Sequence, residues 1–338
     1  MPFASTAKRG ILIRAQAQVT KKGVFFIFST LDFKPITIAD KDWMTDLLQQ
    51  GHRGALEYNF TSNFIWREIY RLRAARLEDQ LIIMSDPDDP TFIFPSGKSD
   101  PGPAVRALAD YTARMGKPLI FNTVLNQDRE RLEALFPGKF EFIPDRNDFD
   151  YIYSAESLIT LRGKKLSSKR NHINRFMSSE RDWAYEPLTL SNLAEARQMS
   201  QEWCRQAGCS DDAELHDESC AVEQAFKYYE PLGLAGGLLR VGGKVIAFTM
   251  GEPLNEDTYV VHIEKAFNDI QGAYQMINQQ FAIANCEGFE YINREDDAGD
   301  EGLRRGHGAV PVGIRFHRRH YAHARSHPLA HGREVPLD

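Results

Sequence analysis

Two stretches of this 338-residue chain carry side chains suited to chemistry on a charged substrate. The first, Asn293-Arg294-Glu295-Asp296-Asp297-Ala298-Gly299-Asp300-Glu301, follows an apolar strand pattern at Phe289–Asn293. Carboxylates placed there could hold a substrate ammonium, act as a general base, or bind a divalent ion. The spacing of Glu295, Asp297 and Asp300 lacks the central Gly and terminal Glu of a calcium loop, so no metal is expected. The structural alternative is an acidic cluster at a helix N-terminus, where carboxylates are favourable. Asn293, Glu295 and Asp296 are the catalytic candidates of this stretch. Glu264, closing the strand pattern Thr258–Glu264, joins them as a base or amine ligand facing the same cleft.

The second stretch runs from Asp150 to Phe176, beginning as a strand and ending as a basic helix. Arg162, Lys164, Lys165, Lys169, Arg170 and Arg175 fall within it with no intervening acid, in a chain of net charge -6. Such a run suits an anionic group such as a phosphate or an acidic headgroup. Lys165, Lys169 and Arg170 are the candidate anchors, with Asn171 able to orient the anion. Lys169, His172 and Arg175 are spaced by three, so a helix presents them on one face. The plainer alternative is a solvated linker helix, the commoner fate of a charge run.

The elements that must carry these residues show a repeat. Phe33-Lys34-Pro35-Ile36-Thr37-Ile38-Ala39-Asp40 matches Tyr185-Glu186-Pro187-Leu188-Thr189-Leu190-Ser191-Asn192 in residue type at each position, and an amphipathic helix follows each. A repeat separated by about a domain's length implies duplication of one fold rather than a solenoid. In the first half the patterns give a hairpin at Leu81–Met84 and Thr91–Phe94, a helix at Pro101–Met115, a strand at Leu119–Asn122, a helix at Asn126–Leu135 and a closing strand at Asp150–Ser154. The second half gives a hairpin at Gly237–Val241 and Lys244–Met250 across Gly242-Gly243, the strand Thr258–Glu264, a helix at Gly272–Cys286 and the strand Phe289–Asn293. A short helix near Glu301 and a strand at Val312–Phe316 complete it.

This order is that of a GNAT-type N-acyltransferase domain, and two copies give an α+β fold with a cleft between them. The expected organisation is an N-terminal extension without a fold of its own (1–32), a first GNAT-like domain (33–160), a basic bridging segment (161–184), a second GNAT-like domain (185–321) and a disordered tail (322–338). Each domain is a mixed, mainly antiparallel sheet flanked by helices. A pI near 6.0 argues against a protein that coats nucleic acid. No apolar run approaches the length of a membrane span. The four cysteines form no CxxC pair and read as reduced thiols of a cytoplasmic protein, with a peripheral position at the inner membrane face left open.

The strand leading to Gly163-Lys164-Lys165 and Lys169-Arg170-Asn171-His172-Ile173-Asn174-Arg175-Phe176 resembles a signature of bacterial proteins related to the C-terminal domain of phosphatidylglycerol lysyltransferases. Phe60-Thr61-Ser62-Asn63 with Trp66, Phe94-Pro95-Ser96-Gly97-Lys98 and Asn293-Arg294-Glu295-Asp296 add to the resemblance, which covers about Phe33 to Tyr321. It implies a tandem GNAT fold like that of the Fem-type aminoacyltransferases. It further implies acyl or aminoacyl transfer from a charged tRNA to an amine or hydroxyl of a lipid headgroup, peptide or small molecule, with no cofactor beyond the donor itself. GNAT domains that use acyl-CoA hold its pyrophosphate at a Gln/Arg-x-x-Gly-x-Gly/Ala helix start. The corresponding Asp269-Ile270-Gln271-Gly272-Ala273-Tyr274 departs from that pattern, with Asp first and Tyr last, which favours an aminoacyl-tRNA donor. Gly272 and Tyr274 remain candidates to touch the donor. A non-catalytic tandem module that binds an anionic metabolite or lipid headgroup is the alternative.

Overall fold

The computed structural model describes residues 31–50, 54–144, 150–295 and 322–325. The first half contains β1 (Lys34–Pro35), α1 (Lys41–Leu48), α2 (Phe60–Ile65), β2 (Arg73–Leu77), β3 (Gln80–Ser85), β4 (Thr91–Ile93), β5 (Ser96–Gly97), α3 (Gly102–Arg114), β6 (Phe121–Thr123), α4 (Asn126–Leu135) and β7 (Glu141–Pro144). A central segment follows, with β8 (Ile152–Ser154), α5 (Ala155–Thr160) and α6 (Ser167–Ser179). The second half contains β9 (Trp183–Pro187), α7 (Leu193–Ala207), α8 (Ala213–Lys227), α9 (Tyr229–Leu232), β10 (Ala235–Val241), β11 (Lys244–Pro253), β12 (Thr258–Ala266), α10 (Ala273–Asn285) and β13 (Tyr291–Asn293). Beyond it lies β14 (Ala322–Arg325).

The sequence repeat is a structural repeat. In each copy an edge strand leads into a turn that a Thr and an acid or amide three residues later tie together. The Thr37 N–H and hydroxyl donate to Asp40 Oδ2 at 2.8 and 2.7 Å. The Thr189 N–H donates to Asn192 Oδ1 at 2.7 Å and its hydroxyl at 3.3 Å. Such local side-chain bonds occupy backbone donors at a helix entrance, which is why the pattern recurs before α1 and α7. β1 then pairs antiparallel with β2 of the β2–β3 hairpin, as β9 does with β10 of the β10–β11 hairpin. The second hairpin turns at Gly242-Gly243, both at positive φ, as a two-residue turn requires. The architecture is α+β, two tandem copies each built on a mixed sheet.

The copies exchange strands. The first sheet runs β1-β2-β3-β4-β6-β14-β7, with β5 on β3, and the second runs β8-β13-β12-β11-β10-β9. Ile152–Ser154, expected to close the first half, instead pairs antiparallel with β13 in the second sheet. Ala322–Arg325, expected in a disordered tail, pairs with β6 and β7 of the first sheet. Both corrections have one cause: a strand of three or four residues carries a β pattern but nothing local that selects its long-range partner. The helix expected near Glu301 and the strand expected at Val312–Phe316 lie outside the described residues.

A single apolar core runs through both copies. Met44, Leu47 and Phe64 of the first half share it with Phe226, Phe248 and Phe281 of the second, and a smaller core fills the far side of the first sheet around Phe92, Phe94 and Phe121. Phe64 meets Tyr228 edge-on at 4.9 Å, and Lys41 Nζ caps the carbonyls of Pro231 and Leu232. The basic α6 is therefore no free bridge. It buries Ile173 and Phe176 and, with α5, packs on α10 of the second half. Gly272, at φ +88°, caps α10 where the His172 carbonyl comes so close that a Cβ would lie 2.4 Å from its oxygen.

Cys204 and Cys209, expected as reduced thiols on different faces of a helix, form a disulfide with Cα atoms 5.3 Å apart. α7 ends at Ala207 and left-handed Gly208 turns the chain back, so the Cys209 N–H donates to the Cys204 carbonyl at 3.1 Å. Cys220 and Cys286 are free. No helix among the described residues is long and apolar enough to cross a membrane.

Candidate functional site

β12 and β13 run parallel only from Thr258–Val260 against Tyr291–Asn293, after which β13 ends and β12 continues to Ala266. Where they part, the chain places polar side chains inside an otherwise apolar sheet. A second irregularity adds to this: Met250 faces Ile263 but Gly251 faces Val261, so His262 is the extra residue of a β-bulge. Bulges re-aim side chains and are frequent beside active sites.

On one side of the parting lies a cationic cluster. Arg294 Nη2 donates to Glu264 Oε1 at 2.7 Å, and Asn278 of α10 donates to Glu264 Oε2 at 2.9 Å. The Glu264 side chain is 7% exposed, so it is committed to this pair and orients Arg294 rather than standing open to substrate. Tyr153 of β8 is buried against the same group, and burial pushes its hydroxyl well above the ordinary phenol value. Lys169 reaches in from α6 and, among the described residues, makes no hydrogen bond or ion pair. Burial and then the like charge of Arg294 lower its ammonium to about 8, against the attraction of Glu264.

Two residues earlier on β12, about 6–7 Å along the strand, lies an acidic cluster around His262. Its Nδ1 is 2.8 Å from Glu295 Oε1 and its Nε2 is 3.2 Å from Glu252 Oε1. Burial alone would lower the imidazole, but the hydrogen bonds and charges of Glu252 and Glu295 raise it to about 9. Burial would raise the Glu252 carboxyl, and His262 reverses this and holds it below the usual range. Asn59, the N-cap of α2, donates to the same Glu252 oxygen at 2.9 Å and brings the first half to the site.

Asn293 is the clamp beneath both clusters. Fully buried, it donates to the Gly54 carbonyl at 3.0 Å and to Asp150 Oδ2 at 2.6 Å, while its Oδ1 accepts the Glu295 N–H at 2.8 Å. Asp150 Oδ2 also accepts the Leu56 N–H at 3.1 Å. Asn293 therefore positions Glu295 and is itself out of reach of a substrate. Asp296 lies outside the described residues.

The basic run divides. Lys169 joins the cluster, whereas Lys165 and Asn171 lie on the exposed surface. Arg170 turns inward, and its Nη1 donates to the carbonyls of Leu161 and Gly163, closing the end of α5. His172 is half-buried, and Asn171, Asn174 and Arg175 line an open groove with Gln271. Gly272 packs against the His172 carbonyl, which leaves no room there for a side chain. Tyr274, in the first turn of α10, is half-buried, and burial pushes its hydroxyl up. Among the described residues no group of three His, Cys, Asp or Glu could hold a metal ion.

Sequence reasoning named Glu264, Lys169 and Glu295 but overlooked His262, Glu252, Arg294, Tyr153 and Asn59 as site residues. The available signal was Thr258-Tyr259-Val260-Val261-His262-Ile263-Glu264, where two ionisable residues spaced by two interrupt an apolar strand.

Residues 48–306 match the family described as phosphatidylglycerol lysyltransferase, C-terminal. Among solved structures, a conserved protein of unknown function from Bacteroides thetaiotaomicron VPI-5482 is 36% identical with a TM-score of 0.81, over 87% of this chain and 99% of that one. L-PGS from Bacillus licheniformis is 15% identical with a TM-score of 0.54, over 83% of this chain and 90% of that one, a likeness of fold. No curated protein matches the chain significantly. With more than half of its length matched, the chain belongs to the phosphatidylglycerol lysyltransferase C-terminal family.

Proposed function

We propose that this chain is an aminoacyltransferase whose donor is an aminoacyl-tRNA, with its acyl group held where β12 and β13 part. The observation that carries the reading is the pairing of opposite charge on neighbouring residues. Arg294 belongs to a cluster of two cations and one carboxylate, and Glu295 to a cluster of two carboxylates and one imidazolium. A dipolar site of this kind suits an α-aminoacyl ester, which has an ammonium next to the carbonyl under attack.

The chemistry assigned to the chain is acyl transfer. The acceptor's hydroxyl or amine attacks the ester carbon, and the carbonyl oxygen becomes an oxyanion that Arg294 stabilises. Lys169, whose ammonium titrates near neutrality, takes the proton of the nucleophile and returns it to the departing ribose hydroxyl. The ester C–O bond breaks as the new C–O or C–N bond forms, so no co-reactant is required. At the start of α10, where acyl-CoA enzymes hold pyrophosphate, Asp269 and Tyr274 depart from the Gln/Arg-x-x-Gly-x-Gly/Ala pattern, which supports tRNA over CoA as donor.

A second reading is a module that binds an anionic metabolite or lipid headgroup without turnover. Lys169 beside Arg294 favours it, because a resident anion would offset the repulsion between the two cations. The two separate in one assay. The protein is offered a labelled aminoacyl-tRNA pool with anionic phospholipids, peptides and amines. Label moving into an acceptor, and lost in Arg294→Ala, supports transfer. Anion-induced stabilisation with no transfer into any acceptor supports the binding module.

A further inference from the structure

The His262 side chain is 0% exposed and both its ring nitrogens face carboxylate oxygens. A neutral imidazole donates from one nitrogen only and would set the lone pair of the other against a carboxylate. Both contacts are satisfied together only by the imidazolium, and a titration raised to about 9 agrees. The titratable groups facing the ring are Glu252 on β11 and Glu295 beyond β13, while α2 contributes the uncharged Asn59 behind Glu252.

Glu295 has φ +56°, a left-handed conformation that an L side chain keeps only where its surroundings hold it. Three contacts do so: its N–H to Asn293 Oδ1 at 2.8 Å, its carbonyl to the Tyr151 N–H at 2.9 Å, and Oε1 to His262. Among the described residues no partner reaches Oε2, on a side chain that is 21% exposed.

We infer that His262 is a positioning residue that, as a buried imidazolium braced by Glu252, fixes Glu295 so that Oε2 accepts the ammonium of an aminoacyl group. The inference rests on the aminoacyl reading above and adds selectivity to it: a free amino group is admitted and an N-acylated one is refused. Because Asn59 supports Glu252 from the first half, this selectivity depends on contact between the two copies.

The full chain is titrated with alaninamide and N-acetylalaninamide by calorimetry, and its histidine ring nitrogens are followed by NMR across the neutral and alkaline range, with His262→Gln assigning the signal. The expected result is that alaninamide binds, its N-acetyl form does not, and both His262 nitrogens are protonated at neutral pH. His262→Gln should weaken alaninamide about tenfold or more. If His262→Gln does not fold, Glu252→Gln keeps the ring, and it should lower the imidazole titration and weaken alaninamide at least about threefold. A neutral tautomer at neutral pH, or variants that bind alaninamide as the wild type does, overturns the role of His262 while leaving the aminoacyl reading standing. A wild type that binds both amides alike, or neither, overturns both.

Discussion

Replacing Lys169 by Met should make the protein more stable and less active. Met preserves most of the side-chain volume and removes only the charge. The ammonium falls from an ordinary 10.5 to about 8 because burial and Arg294 penalise the charged form. Each pK unit is worth about 1.4 kcal/mol, so the full shift corresponds to about 3 kcal/mol of destabilisation. The side chain keeps some solvent contact, and screening reduces this to about 1–3 kcal/mol, a rise of about 2–4 °C in melting temperature. The sign fixes the pH window. The folded value lies below the unfolded one, so the penalty is complete below about 8 and is relieved as pH rises towards 10.5. Thermal or urea unfolding of wild type and Lys169→Met across this range should show a gap that is widest at neutral pH and closes in alkali. A variant that is less stable at neutral pH, or a gap independent of pH, would refute the reasoning.

Arg170→Ala should cost about 1–3 kcal/mol in urea unfolding, because two charge-assisted bonds to the carbonyls of Leu161 and Gly163 are lost. Its intrinsic affinity for the donor should stay within about twofold in the folded variant. Gly272→Ala combines a forbidden φ with a Cβ 2.4 Å from the His172 oxygen, and should lower stability by about 2 kcal/mol or more. Asn293→Ala removes one donor to Asp150 and the acceptor of the Glu295 N–H, and a loss of about 2–4 kcal/mol by denaturant unfolding is expected.

The sequence made some levels of the structure readable and hid others for physical reasons. The repeated turn was legible because Thr37–Asp40 and Thr189–Asn192 are tied by the same local hydrogen bonds, and local bonds leave local patterns. The α4 limits, Asn126–Leu135, match the helix expected from the sequence. The strand exchange was not legible, since the partner of Ile152–Ser154 is β13, far along the chain. The disulfide was hidden for a related reason: five residues is the wrong spacing on a continuing helix but the right one across a left-handed Gly208. At the site, charge was a partial guide. It pointed to Lys169, which lies beside Arg294 and Glu264, and grouped it with Arg170, whose Nη1 donates to backbone carbonyls. His262 was overlooked although it stands two residues before Glu264 in an apolar strand, because only the bulge brings both glutamates to its ring.

The central claim is that the parting of β12 and β13 is a dipolar site for an aminoacyl group. A crystal structure of the protein with a non-hydrolysable 3′-aminoacylamino adenosine tests it most directly. The account predicts the ligand ammonium at hydrogen-bond distance from Glu295 Oε2 and its carbonyl oxygen turned towards Arg294 and Lys169. A ligand lodged instead in the groove of Asn171, Arg175 and Gln271, with Glu295 and Arg294 untouched, would contradict it.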